Sequence, residues 1–225
     1  MLPVRRDRCA SAFTLIELLT VIAIIAILSA ITLGGIKGAK NRAAIARAKT
    51  ELAALAGALE DYKRHYGDYP QTGASQPATA AVAARINVAQ AQAILFNALT
   101  GVYGPTNFTT RLNGPALVDI AKFQLEDPTL LTSASFGVPT GSPPQKNPVA
   151  NSFLDPWGNR YLYYYKAAGP PGRPAPAGWR APAYVLYSAG PDGAQVAPAA
   201  RTGLYSAPAQ TSGTNADNLY SDQLP

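Results

Sequence analysis

Sulfur and imidazole are almost missing from this 225-residue chain, which has one cysteine (Cys9), one methionine and one histidine (His65). A histidine-dependent triad, a two-histidine metal site and a cysteine nucleophile are each excluded by count. A lone cysteine makes no internal disulfide, and Cys9 precedes the main apolar run, which is the wrong order for a lipoprotein. Ser188, in the run SAGPDG, lacks the glycine pattern of a hydrolase elbow. The adjacent acids Glu60–Asp61 and Glu126–Asp127 read as solvated charges at helix ends, so no enzyme activity is predicted. Acids are also few, 13 against 19 lysines and arginines, for a net charge of +6. The first twelve residues hold three arginines and one aspartate, so the remainder carries 16 − 12 = +4. That excess is too small to argue for nucleic acid, and no nucleic-acid partner is expected.

What the chain has in abundance is one apolar run, FTLIELLTVIAIIAILSAITLGGI from Phe13 to Ile36, 24 residues with the single charge Glu17. As a helix at about 1.5 Å per residue it covers roughly 36 Å, enough to cross a hydrocarbon core of about 30 Å. The leader MLPVRRDRCASA places Arg5, Arg6 and Arg8 before it, which leaves the N-terminus in the cytoplasm and sends the rest outward. No A-x-A cleavage site follows the run, so it is expected to persist as an anchor. An acid inside a bilayer is costly and functional by default, and Glu17 needs a cation. A cut between Ala12 and Phe13 would create one, the Phe13 α-amine, which the Glu17 of a staggered neighbour would neutralise. The bland alternative is a single-pass anchor with Glu17 at the headgroups.

Beyond Ile36, the residues Ile45, Ala48, Leu52, Leu55, Leu59, Tyr62 and Tyr66 recur at spacings of 3 and 4, a seam on one helix face. The spacing predicts one helix from Phe13 to about Tyr66, its outer half packed on its own domain's sheet. Gly34, Gly35 and Gly38 soften the helix where it leaves the run. Lys37, Lys40, Arg42, Arg47 and Lys49 follow, at positions suited to a solvated face or lipid headgroups. Gly67-Asp68-Tyr69-Pro70 ends the helix. Further helices are expected over Gln76–Gly101 and Ala116–Leu125, and a turn-rich connector over Pro139–Pro148. Antiparallel strands are expected at Tyr161–Lys166 and Tyr184–Ser188, their tyrosines divided between core and solvent. Twenty prolines and nineteen glycines imply long loops on a small framework, one modest domain.

The run Ala12 | Phe13-Thr14-Leu15-Ile16-Glu17-Leu18-Leu19, after a short basic leader, resembles the start of type IV pilins and pseudopilins. Ala12 stands where that family usually has Gly. DPWGN from Asp155, with Tyr161 and a strand after it, then S-x-G-x-D-G at Ser188–Gly193, is similar to the major pseudopilins of type II secretion. The resemblance implies an α+β pilin fold, with a leader over 1–12, a transmembrane and assembly helix over 13–36 and a periplasmic globular domain over 37–225. It implies leader removal by a prepilin peptidase, methylation of Phe13, and a homopolymer with Glu17 as the assembly carboxylate. The implied setting is the bacterial inner membrane, with an assembly platform and minor pseudopilins as partners and protein export as the work. A surface pilin for adhesion, twitching or DNA uptake, or an anchored binding module with a tyrosine-rich face, are the alternatives. The resemblance also implies calcium held by Asp192, Asp217 and the carbonyl of Ala189; hard oxygen ligands on a glycine-rich loop suit that ion. The interval between the two aspartates is longer here, and a pair of ordinary Asx turns is the alternative.

Overall fold

A computed structural model describes residues 13–72, 91–104, 111–132, 136, 138–166, 180–181, 183–195 and 213–221, without the side chains of 30–37 and 91. The chain divides into two compact units, 1–43 and 44–225. The first helix, α1, runs Leu15–Tyr66, close to the predicted limits.

In the first unit, the large apolar side chains from Phe13 to Leu28 are 49–82% exposed on every side of α1, so the chain itself offers them no cover. Among the described residues no helix is long and apolar enough to cross a membrane. The described side chains of the apolar run stop at Ser29, and the rest of the expected span, 30–36, lies outside them.

In the second unit one face of α1 is buried. Ala48, Leu52, Leu55, Leu59 and Tyr62 of the predicted seam lie in the core, while Ile45 and Tyr66 are half-buried. They pack with Leu95, Phe96 and Leu99 of a second helix, α2 (Ala91–Leu99), and with Phe153, Tyr161, Tyr163 and Leu186. Each such leucine contributes about 1.5–3 kcal/mol by leaving water. Gly67 closes α1 at φ +86°, donating its N–H to the Lys63 carbonyl at 2.7 Å, a left-handed cap that side chains other than glycine rarely adopt.

Two small antiparallel sheets complete an α+β fold. β1 (Gln124–Leu125) pairs with β2 (Phe153–Leu154), and β3 (Leu162–Tyr164), β4 (Val185–Ser188) and β5 (Leu219–Tyr220) form a sheet in that order. Side chains alternate with period 2. Tyr161, Tyr163, Tyr165 and Leu186 join the core that includes α1, while Leu162, Tyr164, Tyr187 and Tyr220 form a second cluster. Both faces are buried, so the expected solvent face of tyrosines is corrected.

Two further expectations change. Of the helix expected over Gln76–Gly101, α2 is the described part; 73–90 lie outside the described residues. The expected helix over Ala116–Leu125 is instead a 3-10 turn, Ile120–Lys122, followed by β1. Asp119 accepts the Ala121 N–H and starts the turn, but Phe123 is extended, and Phe123 and Leu125 both point inward around exposed Gln124. The local pattern there has the strand period, which outweighs helix propensity. The Pro139–Pro148 connector is a turn closed by a Thr140–Gln145 bridge.

Glu126, expected to be a solvated charge, is largely buried and held by Arg160, which is almost fully buried. Arg160 Nε donates to Glu126 Oε2 at 2.9 Å, and Ser152 Oγ donates to the same oxygen at 2.7 Å. Asp127 caps the next 3-10 turn by accepting the Thr129 N–H at 2.9 Å. Because breaking a buried pair strands one charge, Arg160→Met is expected to lower stability by about 3–5 kcal/mol. The double variant Arg160→Met/Glu126→Leu should recover most of that loss. Denaturant titration of the full chain in detergent measures both.

Candidate assembly site and C-terminal loop

At the start of α1, Phe13 and Thr14 are not helical and Leu15 is the first helical residue. Thr14 Oγ1 accepts the Glu17 N–H at 3.3 Å. In return Glu17 Oε2 accepts the Thr14 N–H at 2.9 Å and the Thr14 hydroxyl at 2.7 Å. This is a capping box, two residues satisfying each other's free helix-end groups, and it sets Glu17's charge at the positive end of the helix dipole. Its other oxygen, Oε1, accepts nothing among the described residues. Glu17 was singled out from the sequence, but Thr14 was not. The signal was present, since T-x-x-E ahead of an apolar run is the sequence form of this cap. Phe13 is 80% exposed, and Ala12 lies outside the described residues.

Over residues 7–33 the sequence matches the family described as the prokaryotic N-terminal methylation motif. The chain carries a prokaryotic N-terminal methylation motif. The match takes in Ala12, Phe13 and Glu17, and it supports a type IV pilin-like precursor with processing at this end and a membrane-anchored subunit. No curated protein and no solved structure matches the chain.

The second candidate lies where two loops meet. Between β2 and β3, the Asp155 carboxylate is wholly buried and accepts the N–H groups of Trp157 at 3.0 Å and Asn159 at 2.9 Å. Its other oxygen accepts the Ser188 hydroxyl at 2.6 Å, and Ser188 Oγ accepts the Gly190 N–H at 3.1 Å. Burial pushes the Asp155 carboxyl above its ordinary range, against the pull of these bonds. Asn159 Nδ2 donates to the Gly190 carbonyl at 3.0 Å. The DPWGN turn therefore holds the SAGPDG loop from both sides of Gly190, a link that neither motif announces by spacing.

Asp217 reaches the same loop. Asp192 donates its N–H to Asp217 Oδ2 at 3.4 Å, and a Cβ on Gly190, at φ +70°, would lie 2.5 Å from the Asp217 carbonyl oxygen and 2.9 Å from Oδ2. Only glycine leaves room for that approach. Asp192 is exposed, and its Oδ1 accepts the Ala194 N–H at 2.8 Å; Ala189 is buried. One residue beyond Asp217, the buried Oδ1 of Asn218 has no hydrogen-bond partner among the described residues, although its Nδ2 donates to Asn215 Oδ1 at 3.1 Å. Among the described residues no group of three or more histidines, cysteines and acids converges. A cation here would thus take part of its shell from carbonyl and amide oxygens, which calcium accepts. In kind, though not as a converged set, the oxygens of Asp192, Asp217 and Asn218 are ones that calcium accepts.

His65 is exposed on α1, and Asp61, one turn back, pairs instead with Arg64 at 3.0 Å. For the cap, Thr14→Val is expected to speed hydrogen exchange of the Leu15–Leu18 amides several-fold, whereas Thr14→Ser should leave it near the original rate. Mass-resolved exchange on the full chain checks both.

Proposed function

We propose that the chain is a pseudopilin, a subunit that is clipped between Ala12 and Phe13, methylated on Phe13 and polymerised into a periplasmic fibre driving protein export. What carries this reading is Glu17, a lone acid in an apolar run inside a methylation motif, with one carboxylate oxygen held by its own helix cap and the other without a donor among the described residues. In a parallel array the open oxygen meets the Phe13 amine of a neighbour, and the two charges leave water together instead of singly. The helix of 13–36 anchors the subunit in the bacterial inner membrane until it joins the fibre. A prepilin peptidase, an assembly platform and minor pseudopilins are its partners, and its work is mechanical, with no catalysis.

The preference for an export pseudopilin over a surface pilin rests on the resemblance of DPWGN and SAGPDG to the major pseudopilins; in this chain the two loops form one hydrogen-bonded unit through Asp155, Asn159 and Ser188. A binding module with a tyrosine platform is disfavoured, since Tyr161, Tyr163, Tyr164, Tyr165 and Tyr187 are buried. Asp192, Asp217 and the Ala189 carbonyl would hold calcium, which would tie the 188–193 loop to the run beginning at Gly213.

Glu17→Ala is expected to leave leader removal intact and abolish fibres, read as the mass loss of residues 1–12 and by electron microscopy of sheared material. Fibres formed normally by that variant would overturn the polymer reading. Adding calcium to the chelator-treated full chain should raise its unfolding midpoint by several degrees, by preferential binding to the folded state. Asp192→Ala and Asp217→Ala should each remove that rise in thermal melts.

A further inference from the structure

We propose that Lys40 and Arg42 form a basic collar that binds the phosphate headgroups of anionic phospholipids where α1 leaves the apolar run. This rests on the membrane-spanning reading of 13–36. No acid occurs between Glu17 and Glu51, while five cations do: Lys37, Lys40, Arg42, Arg47 and Lys49. Arg47 is already engaged, its Nε 2.7 Å from Glu51 Oε1. Lys40 and Arg42 are exposed and make no ion pair or hydrogen bond with a described residue. A Cβ on neighbouring Gly38 would have nothing within 4 Å among the described residues, and residues 38–43 are exposed.

Position and direction both fit a lipid surface. At about 1.5 Å per residue, Lys40 and Arg42 lie roughly 6–9 Å past Ile36. The headgroup layer on each side of a bilayer is about 5–8 Å thick, and long basic side chains reach back into it from just outside. At about 100° per residue, two positions apart means roughly 200° around the helix, so the two cations leave from opposite sides. A partner protein docked on one face would meet one of them; headgroups surround both. An acid-free helix would thus hold its cations in a ring of lipid phosphates while the apolar run below it stays in hydrocarbon.

The test uses the full chain reconstituted in bilayer discs of phosphatidylcholine with a minor share of phosphatidylglycerol. Lipids retained on gentle release are counted by native mass spectrometry. The unaltered protein is expected to retain phosphatidylglycerol above its share, and Lys40→Gln/Arg42→Gln to lose roughly five- to twenty-fold of that preference, at about fivefold per cation. Lys40→Arg/Arg42→Lys should keep it, and raised salt should erase it. An inserted double Gln variant with unchanged preference overturns the collar, and if that variant also loses fibres, the cations belong to contacts between protomers. A chain that alkaline carbonate strips from membranes overturns the spanning reading, and the collar with it.

Discussion

The buried seam on α1 is the contact on which the second unit depends. Its strands are two to four residues long, shorter than strands that hold themselves together in water, and a sheet of that size needs a helix against it. Leu52, Leu55, Leu59 and Tyr62 supply that surface, and α2 and the core face of β3 and β4 close over it. With no cysteine among its residues, this unit relies on packing and on polar contacts within the packing for its cohesion.

Those polar contacts run largely through tyrosine hydroxyls. Tyr161 donates to Glu51 at 2.7 Å, Tyr163 to the Pro70 carbonyl at 2.9 Å, Tyr165 to Asp68 at 2.7 Å and Tyr69 to Glu60 at 2.6 Å. Each ring buries a large apolar area while its tip satisfies an acid or a carbonyl on α1 or just past its end. Burial, and then the Glu60 carboxylate, push the Tyr69 hydroxyl up to about 12, so it stays a donor at neutral pH. Asp68 feels the opposite balance. Burial would raise it, but Lys166, Tyr165 and the Tyr69 N–H hold it below the ordinary aspartate range. The α1 exit is thus knit to β3 by charge-assisted bonds, with no sulfur cross-link.

Local signals made the long elements legible. The 3-and-4 spacing located the seam, GDYP located the end of α1, and the strand-forming runs YLYYYK and YVLYS on either side of a Pro/Gly-rich loop located β3 and β4, because in each case the local preference and the packing agree. The Ala116–Leu125 segment was misread because an apolar stretch that short fits either period, and only its partner β2, some thirty residues on, decides between them. The burial of Glu126 was likewise hidden, since nothing near it in sequence reveals Arg160. At the candidate sites, Glu17 was legible as an acid in the wrong solvent. The grip of Asn159 on Gly190 and of Asp155 on Ser188 was not, because it joins two loops separated by β3, a long connection and β4.

The capping box changes what Glu17 would have to do as the proposed assembly carboxylate. A bare glutamate in hydrocarbon would be driven to protonate or to pair at once. Here one oxygen is already bonded to Thr14 by two donors within the same helix turn, which lowers the penalty a single subunit carries before it has neighbours. The bond also fixes the side chain toward the helix start, beside the place where the proposed leader removal would create the Phe13 amine. In the proposed fibre, the residual demand of the other oxygen would be met only by a cation arriving at that height along the helix, so pairing would select one axial stagger between subunits. An apolar surface alone, alike all round and along its length, selects none.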